Sequence, residues 1–483
     1  MSMEYIELAP NFNIARLLVG LWQIADMEKD GETLDPAQTM RSIAPYVEKG
    51  LTTFDMADHY GSAEILTGHF RKHHALGPQT QLLTKWVPKP GRLEKKDVRE
   101  AVATALRRMQ SEQLDLLQYH AWNYADPTWL DQMFWLQELK EEGLIAQVGV
   151  TNMDTAHLRM LLTSGIEVAT NQVCFSLLDQ RAAGAMSRLS QEFGVKVLAF
   201  GTLAGGFLSE KWLNQPEPDI DRLANWSLMK YKRFIDQVAD WSSFQDLLHA
   251  LKKIANQYGV SIPNVATRFI LDQPAVAGVI VGARLGERQH IEDNLRVFEF
   301  VLSDESRKVI QAKLDQLSPV PGDCGDEYRR PPFLTASGDL SHHLEEMPNP
   351  YPTTLLPNGD QKIFSGVPWE KEYGYCRAVR KGNRILVSGT TASHGNRLIG
   401  GSDPDAQAHF VIDKIEGAIQ SLGGQLSDVA RTRIFVPPGG DWAAVARAHG
   451  QRFGDIQPAN TLVHAQLVGE EFLVEMEAEA VIS

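Results

Sequence analysis

Asp55, Tyr60, Lys85 and His120 lie at or just past the ends of three short apolar runs, LTTFD (51–55), QLLTKWV (81–87) and LDLLQYH (114–120). A tyrosine normally titrates near ~10, too high for an efficient proton donor at neutral pH. A neighbouring ammonium stabilises the phenolate and lowers that value, and a move of ~3 pH units is worth about 4 kcal/mol. Lys85, held by Asp55, is expected to supply that ammonium. His120 is suited to hydrogen-bond a carbonyl oxygen and orient it, and Tyr60 to protonate that oxygen as negative charge develops there. Side chains supply no hydride, so a reduction at this point requires a cofactor.

Residues converge this way when neighbouring parallel strands end at one rim. From residue 16 to about 315, apolar runs alternate with amphipathic stretches. The further runs are RLLVGLW (16–22), IAQVGVT (145–151), EVATNQV (167–173), VKVLAF (195–200) and VAGVIVG (276–282). Helical patterns such as AQTMRSIAPYVEKG, DVREAVATALRRMQ and DPTWLDQMFWLQELKEEG lie between strands. Strands alternating with helices predict a parallel sheet, and about eight units predict an α/β fold of the TIM (β/α)8 barrel type, with its site at the strand C-termini. A doubly wound sheet is the competing reading, but no GxGxxG follows the first strand. The long interval between the last two runs, with TLAGGFLSEKWLNQPEP, is expected to carry ligand contacts.

The 483 residues exceed one ordinary domain, and the net charge of −14 leaves no general basic surface for nucleic acid or an anionic membrane. Cys174, Cys324 and Cys376 are widely spaced, without zinc-ligand or CxxC spacing. No basic-then-apolar leader opens the sequence, and no apolar run approaches the ~18 residues of a membrane span. The expectation is a cytoplasmic protein with free thiols and no metal.

The motifs together resemble the aldo-keto reductase family. FDMADHYG, LLTKW, LLQYHAW, GVTNM, NQVCFSLLDQR, LAFGTLAGGFL and VIVGARLGERQHIEDNL match its ordered segments over about 1–315. The resemblance implies a catalytic tetrad of Asp55, Tyr60, Lys85 and His120. It implies that Thr151, Asn152 and Gln172 hold a nicotinamide carboxamide, that Phe200 stacks on the ring, and that Leu203, Ala204 and Gly205 follow the pyrophosphate. Gly282, Ala283 and Arg284 are placed at the adenosine 2′-phosphate, with Gln289, Asp293 and Asn294 nearby, and Arg284 favours NADPH over NADH because a guanidinium pairs with phosphate. Trp22 is expected in the substrate pocket. Asp58, His59 and Glu64 are expected to shape the loop and the following helix.

Residues 319–362 are rich in proline, glycine and polar residues, so the barrel with its tail is taken as 1–345 and a linker as 346–362. The tail is expected over the barrel mouth, with Arg329 and Arg330 solvated. The SHHLEE piece is not expected to bind metal, because adjacent histidines point apart. From 363 to 483 the order is strand-rich with two helices, an α+β domain. YCRAVRKGNRILVSGTTA, DVARTRIFV, PANTLVHA and FLVEMEAEAVI resemble the Rid (YjgF) family, whose chorismate-mutase-like domains form trimers with clefts between subunits. The resemblance places Tyr375, Asn460 and Glu475 at such a cleft. Asn460 stands where active members have the carboxylate-gripping arginine, and an amide offers no charge.

The expected function is NADPH-dependent reduction of a small ketone or aldehyde, in a homotrimer built by the second domain, which is a scaffold or a ligand-binding module. Imine reduction, or a reductase joined to an imine deaminase, is the alternative, and a cofactor-sensing binding protein a third reading.

Overall fold

The computed structural model describes residues 3–28, 33–287, 290–335 and 347–482. An antiparallel hairpin, β1 (Tyr5–Ala9) and β2 (Phe12–Ala15), leads into a closed barrel of eight parallel strands. These are β3 (Leu17–Gly20), β4 (Thr53–Asp55), β5 (Gln81–Trp86), β6 (Leu114–Tyr119), β7 (Ile145–Thr151), β8 (Thr170–Cys174), β9 (Lys196–Phe200) and β10 (Val276–Gly282). β10 pairs with β3, which closes the barrel and removes the doubly wound alternative. The hairpin, not anticipated from the sequence, plugs the end where the strands start: its Leu8 and Ile14 cluster with the barrel-interior residues Leu18, Leu83, Leu116, Leu198 and Ala277.

The barrel helices are α1 (Trp22–Met27), α2 (Pro36–Glu48), α3 (Ala63–His73), α4 (Lys95–Met109), α5 (Thr128–Glu141), α6 (Thr155–Thr163), α7 (Ala185–Phe193), α8 (Trp226–Val238), α9 (Trp241–Tyr258), α10 (Ile262–Leu271), α11 (Ile291–Leu295) and α12 (Asp304–Leu314). Their ends follow local chemistry. The Asp240 side chain caps α9 by accepting from Ser243 N, and Gly259 ends it in the left-handed conformation that suits glycine. The long interval before α9 contains α8.

The second domain holds a seven-stranded sheet of order β11-β12-β13-β14-β19-β17-β18. Its strands are β11 (Thr353–Leu355), β12 (Gln361–Ile363), β13 (Ala378–Lys381), β14 (Arg384–Thr391), β17 (Val429–Val436), β18 (Ala459–His464) and β19 (Glu475–Val481), with a small pair β15 (Ser393–His394) and β16 (Arg397–Leu398) beside it. Helices α13 (Pro368–Glu372), α14 (Pro404–Ser421) and α15 (Trp442–Phe453) complete the domain. β13 and β14 join through Gly382-Asn383, as the Lys-Gly-Asn turn predicts, with Gly382 at φ 60°. Residues 353–363 correct the linker reading: β11 and β12 extend the second sheet, so the polar composition there marks an edge strand, its neighbour and the turn between them rather than a free connector. SHHLEE (341–346) lies outside the described residues. Among the described residues, no helix is long and apolar enough to cross a membrane.

The domains dock through α6 and α14. Between them His157 of α6 meets Asp413 of α14, Arg159 pairs with Asp403 at 2.8 Å, and Gly400 N donates to Ser164 Oγ at 2.8 Å.

Candidate active site

Strand alternation places the central pair. On β5, Leu83 and Lys85 point into the barrel, while Thr84 between them points out and donates to the Glu64 carboxylate on α3 at 2.6 Å. Glu64 also accepts from Arg108 at 3.1 Å, so it braces the strand that carries Lys85. Asp55 ends β4, the neighbour of β5. Lys85 Nζ donates to both Asp55 carboxylate oxygens, at 2.9 and 2.7 Å, and to Met56 O at 2.7 Å. Both side chains are 5% exposed. A buried ion pair persists only when its remaining hydrogen-bonding capacity is filled. Gln172 Nε2 fills it by donating to Asp55 Oδ1 at 2.6 Å, with Gln118 Nε2 at 3.4 Å from the same oxygen. Gln118, opposite Lys85 in the β5–β6 register, went unnoticed in the sequence, where it read as part of an apolar run.

Tyr60 reaches over this pair, its ring centroid 5.1 Å from Lys85 Nζ. The turn that carries it is held from α1. Glu28 accepts from Ser62 N at 2.8 Å and from Ser62 Oγ at 2.6 Å, and a Cβ on Gly61 would stand 2.2 Å from Glu28 Oε2. Asp58 accepts from Val87 N at 3.2 Å and pairs with His59 at 2.8 Å, the shaping role expected of it. His120 directly follows β6, is 3% exposed, and makes edge contacts with the rings of Trp122 and Tyr328, centroids 4.5 and 5.6 Å away.

The sign of the tyrosine titration corrects the sequence reading. The phenol is held well above its ordinary range, first by burial and then by the charge of Asp55. Burial likewise lowers the Lys85 ammonium, against the raising effect of Asp55. Desolvation of the phenolate, and the carboxylate that accompanies the ammonium, set this direction. The Tyr60 phenol therefore keeps its proton at neutral pH.

The C-terminal tail does cover the mouth, and more tightly than expected. Tyr328 accepts from Lys230 at 2.8 Å, and Lys230 Nζ lies 5.0 Å from the Phe200 ring centroid. Glu327 pairs with Arg181 at 2.8 Å, both side chains nearly inaccessible. Arg329, expected in solvent, instead donates to Ala121 O at 2.9 Å through Nε and to Asn152 O at 2.7 Å through Nη1, whereas Arg330 is exposed. Backbone carbonyls of distant loops leave no trace in the residues around an arginine, which is why the sequence missed this.

On the cofactor side, Thr151 Oγ1 donates to Gln172 O at 3.0 Å, and Asn152 N to the same oxygen at 2.8 Å. Asn152 adopts φ 54°, and its Oδ1 is buried without a hydrogen-bond partner among the described residues. An orphaned amide oxygen at a strand C-terminus is an acceptor awaiting a donor, and it fits a nicotinamide carboxamide. Phe200 ends β9, and Leu203, Ala204 and Gly205 form a tight turn beyond it, with Ala204 at φ 47° and Gly205 at φ 64°. Gly282 ends β10 beside Gln23, whose Nε2 would stand 2.4 Å from a Cβ there. Arg284 pairs with Glu287 at 3.1 Å. Both Asp293 oxygens are engaged, with Ser261 Oγ at 2.9 Å and Asn264 Nδ2 at 3.3 Å, so this residue shapes the start of α10. Asn294 is half-buried on α11, and Gln289 lies outside the described residues. Trp22 opens α1 after β3. A cleft beside His120 is walled by Trp122, Pro88, Trp129 and, from the joining segment, Met347 and Pro348.

The predicted cleft residues of the second domain do not meet within one chain. Glu475 is registered with Phe435 on the open face of the sheet. Asn460 is registered with the buried Thr432 and donates to its Oγ1 at 2.8 Å, on the helix-covered face. Tyr375 is partly exposed, and burial raises the Glu475 carboxyl.

Comparison with known proteins agrees with this architecture. Residues 16–315 match the Aldo/keto reductase family and residues 369–482 the family described as Endoribonuclease L-PSP. A chloroplastic pyridoxal reductase of Arabidopsis thaliana is 28% identical over 288 residues, 56% of this chain and 74% of that protein. An uncharacterized protein of Streptomyces coelicolor is 37% identical over 121 residues, 25% of this chain and 90% of its own. The glycerol dehydrogenase of Gluconobacter oxydans, 22% identical, shares the fold with a TM-score of 0.54 over 67% of this chain and 98% of its own. The chain belongs to the aldo/keto reductase family of oxidoreductases, which bind nicotinamide cofactors, and carries a Rid (YjgF) domain at its C-terminus.

Proposed function

We propose that this protein reduces a carbonyl group of a small ketone or aldehyde with NADPH, Tyr60 being the proton donor. The reading rests above all on the Lys85–Asp55 pair, desolvated and fully hydrogen-bonded beneath the Tyr60 ring. Bound NADPH would supply the hydride. Asn152, Gln172 and Thr151 would hold its carboxamide and Phe200 its ring. The Leu203–Gly205 turn would lie along the pyrophosphate, and Gly282 and Arg284 would meet the 2′-phosphate. His120 orients the substrate oxygen. Tyr60 keeps its proton until that oxygen gains negative charge, and the Lys85 ammonium then stabilises the phenolate left behind. The tail with Tyr328 and Lys230 excludes water above Phe200 and His120.

The second domain serves as an assembly module forming a homotrimer through its open sheet face, where Leu386, Val463 and Val481 are exposed. Loss of the arginine at position 460 weighs against deamination.

The decisive experiment is NADPH consumption against a panel of ketones, aldehydes (pyridoxal included, after the Arabidopsis relative) and cyclic imines. Tyr60→Phe should cut turnover by about 10²–10⁴-fold while NADPH binding persists. Unchanged turnover would remove Tyr60 from the role, and turnover confined to imines would replace the carbonyl reading.

A further inference from the structure

An unbroken set of contacts runs from inside the second domain to the loop that carries Asn152. Arg452 of α15 donates to Asp413 and Glu416 of α14, with side chains 6% (Arg452) and 1% (Asp413) exposed. Asp413 Oδ2 accepts from His157 Nε2 at 2.9 Å, and Asp154, the N-cap of α6, accepts from His157 Nδ1 at 2.7 Å. The imidazole lies flat on the Tyr124 ring, centroids 3.5 Å apart and planes 10° from parallel. Tyr124 belongs to the loop after β6, which also carries His120. The Arg329 guanidinium stacks on Tyr124 at 4.4 Å and donates to Ala121 O, Asn152 O and Gly325 O. Gly325, at φ 82°, lets the tail approach: a Cβ there would stand 2.0 Å from Asn152 O. One guanidinium thus ties the loop after β6 to the loop after β7, and what it stacks on is set by a histidine bridging the two domains.

We infer that the second domain completes the reductase site: Asp413, through His157 and Tyr124, positions Arg329, and Arg329 fixes the Asn152 loop in the form that receives the nicotinamide. The inference rests on the proposed reading of Asn152 as a nicotinamide contact. A planar guanidinium spans two carbonyls in a fixed fork, a task that an ammonium does not reproduce. The neutral Asp413→Asn loosens the His157 bridge without changing the bulk at the interface. Arg329, His157, Asp154 and Asp413 are positioning residues that touch neither hydride nor carbonyl.

The test uses the full-length chain and tryptophan-fluorescence titration with two probes, NADPH and 2′-phospho-ADP-ribose, which lacks the nicotinamide. Asp413→Asn and Arg329→Lys should each weaken NADPH about five- to tenfold and leave 2′-phospho-ADP-ribose within twofold. The double variant should be no weaker than the worse single, because both act through one route. Asp403→Asn, which breaks the Arg159 ion pair at the same interface without touching this route, should bind both probes as the wild type does. Wild-type NADPH affinity in Asp413→Asn, equal losses for both probes, or an Asp403→Asn loss matching that of Asp413→Asn would each overturn the positioning role. Failure of the wild-type chain to bind either probe would overturn the cofactor reading, and this inference with it.

Discussion

Docking of the two domains should weaken as the pH rises through about 9, and His157→Gln should abolish that dependence. His157 is 2% exposed and donates from both ring nitrogens to carboxylates on different domains, which pushes it up from 6.5 to about 9 against the effect of burial. A group raised on folding contributes in full below its unfolded value and loses that contribution as the pH climbs through its folded value. At about 1.4 kcal/mol per pH unit, the contribution is on the order of 2–3 kcal/mol at pH 7 and below and near zero at pH 10. The wild-type curve alone does not isolate it. Lys414, pushed down to about 7 by burial and by Arg377, gains stability over the same alkaline range. His409, pushed down to about 4, acts only on the acid side. Lys414 is common to wild type and variant and does not feel His157, so the difference between the two cancels it, and His409 lies outside the alkaline range. Melting temperatures of wild type and His157→Gln should therefore differ by an amount that shrinks between pH 7 and pH 10. With roughly 2 °C per kcal/mol for a chain of this size, the shrinkage is about 5 °C. A gap of constant width across that range would show that His157 does not bridge the domains as an imidazolium.

Arg284→Ala should raise the Kd for NADPH by at least about tenfold and leave NADH nearly unchanged, since a charge-assisted contact to phosphate is worth about 1.5–3 kcal/mol; equal losses would remove Arg284 from the 2′-phosphate. Turnover at saturating NADPH should hold steady up to pH 10, because burial and Asp55 keep the Tyr60 phenol protonated; a decline setting in near pH 7 would restore the ammonium-dominated picture. Gly417→Val should undock the domains, because a Cβ there would stand 2.1 Å from Ala125 O of the barrel. Overpacking of this kind costs about 1–3 kcal/mol and should appear as faster proteolysis of the segment joining the domains. Gly450→Val on α15, with open space around its Cβ, is the control and should resist as the wild type does.

The fold and the chemical core were legible because both are written locally. Each barrel strand is a short apolar run, and Asp55, Lys85 and His120 stand out because ionisable residues at the ends of such runs have no structural reason to be there. Thr84 shows the limit of that legibility: strand alternation alone turns it away from Lys85, but only the fold reveals Glu64 waiting for it. What stayed hidden depends on partners remote in sequence. The direction of the Tyr60 shift turns on burial and on the Asp55 carboxylate as well as on the ammonium, and Tyr328, some 270 residues later, adds to it. Arg329 seemed solvated because its partners are carbonyl oxygens, which every residue has. The second domain adds a different lesson. Asn460 and Glu475 were grouped by resemblance to a cleft, yet the register sets them on opposite faces of one sheet. A site that used both would have to draw them from different chains. Assembly and any chemistry in the second domain are therefore one question: if the open face buries no second copy, Glu475 remains one of three carboxyls, with Glu477 and Glu479, on an open sheet face. The contribution of that domain then reduces to what Asp413 transmits to the barrel.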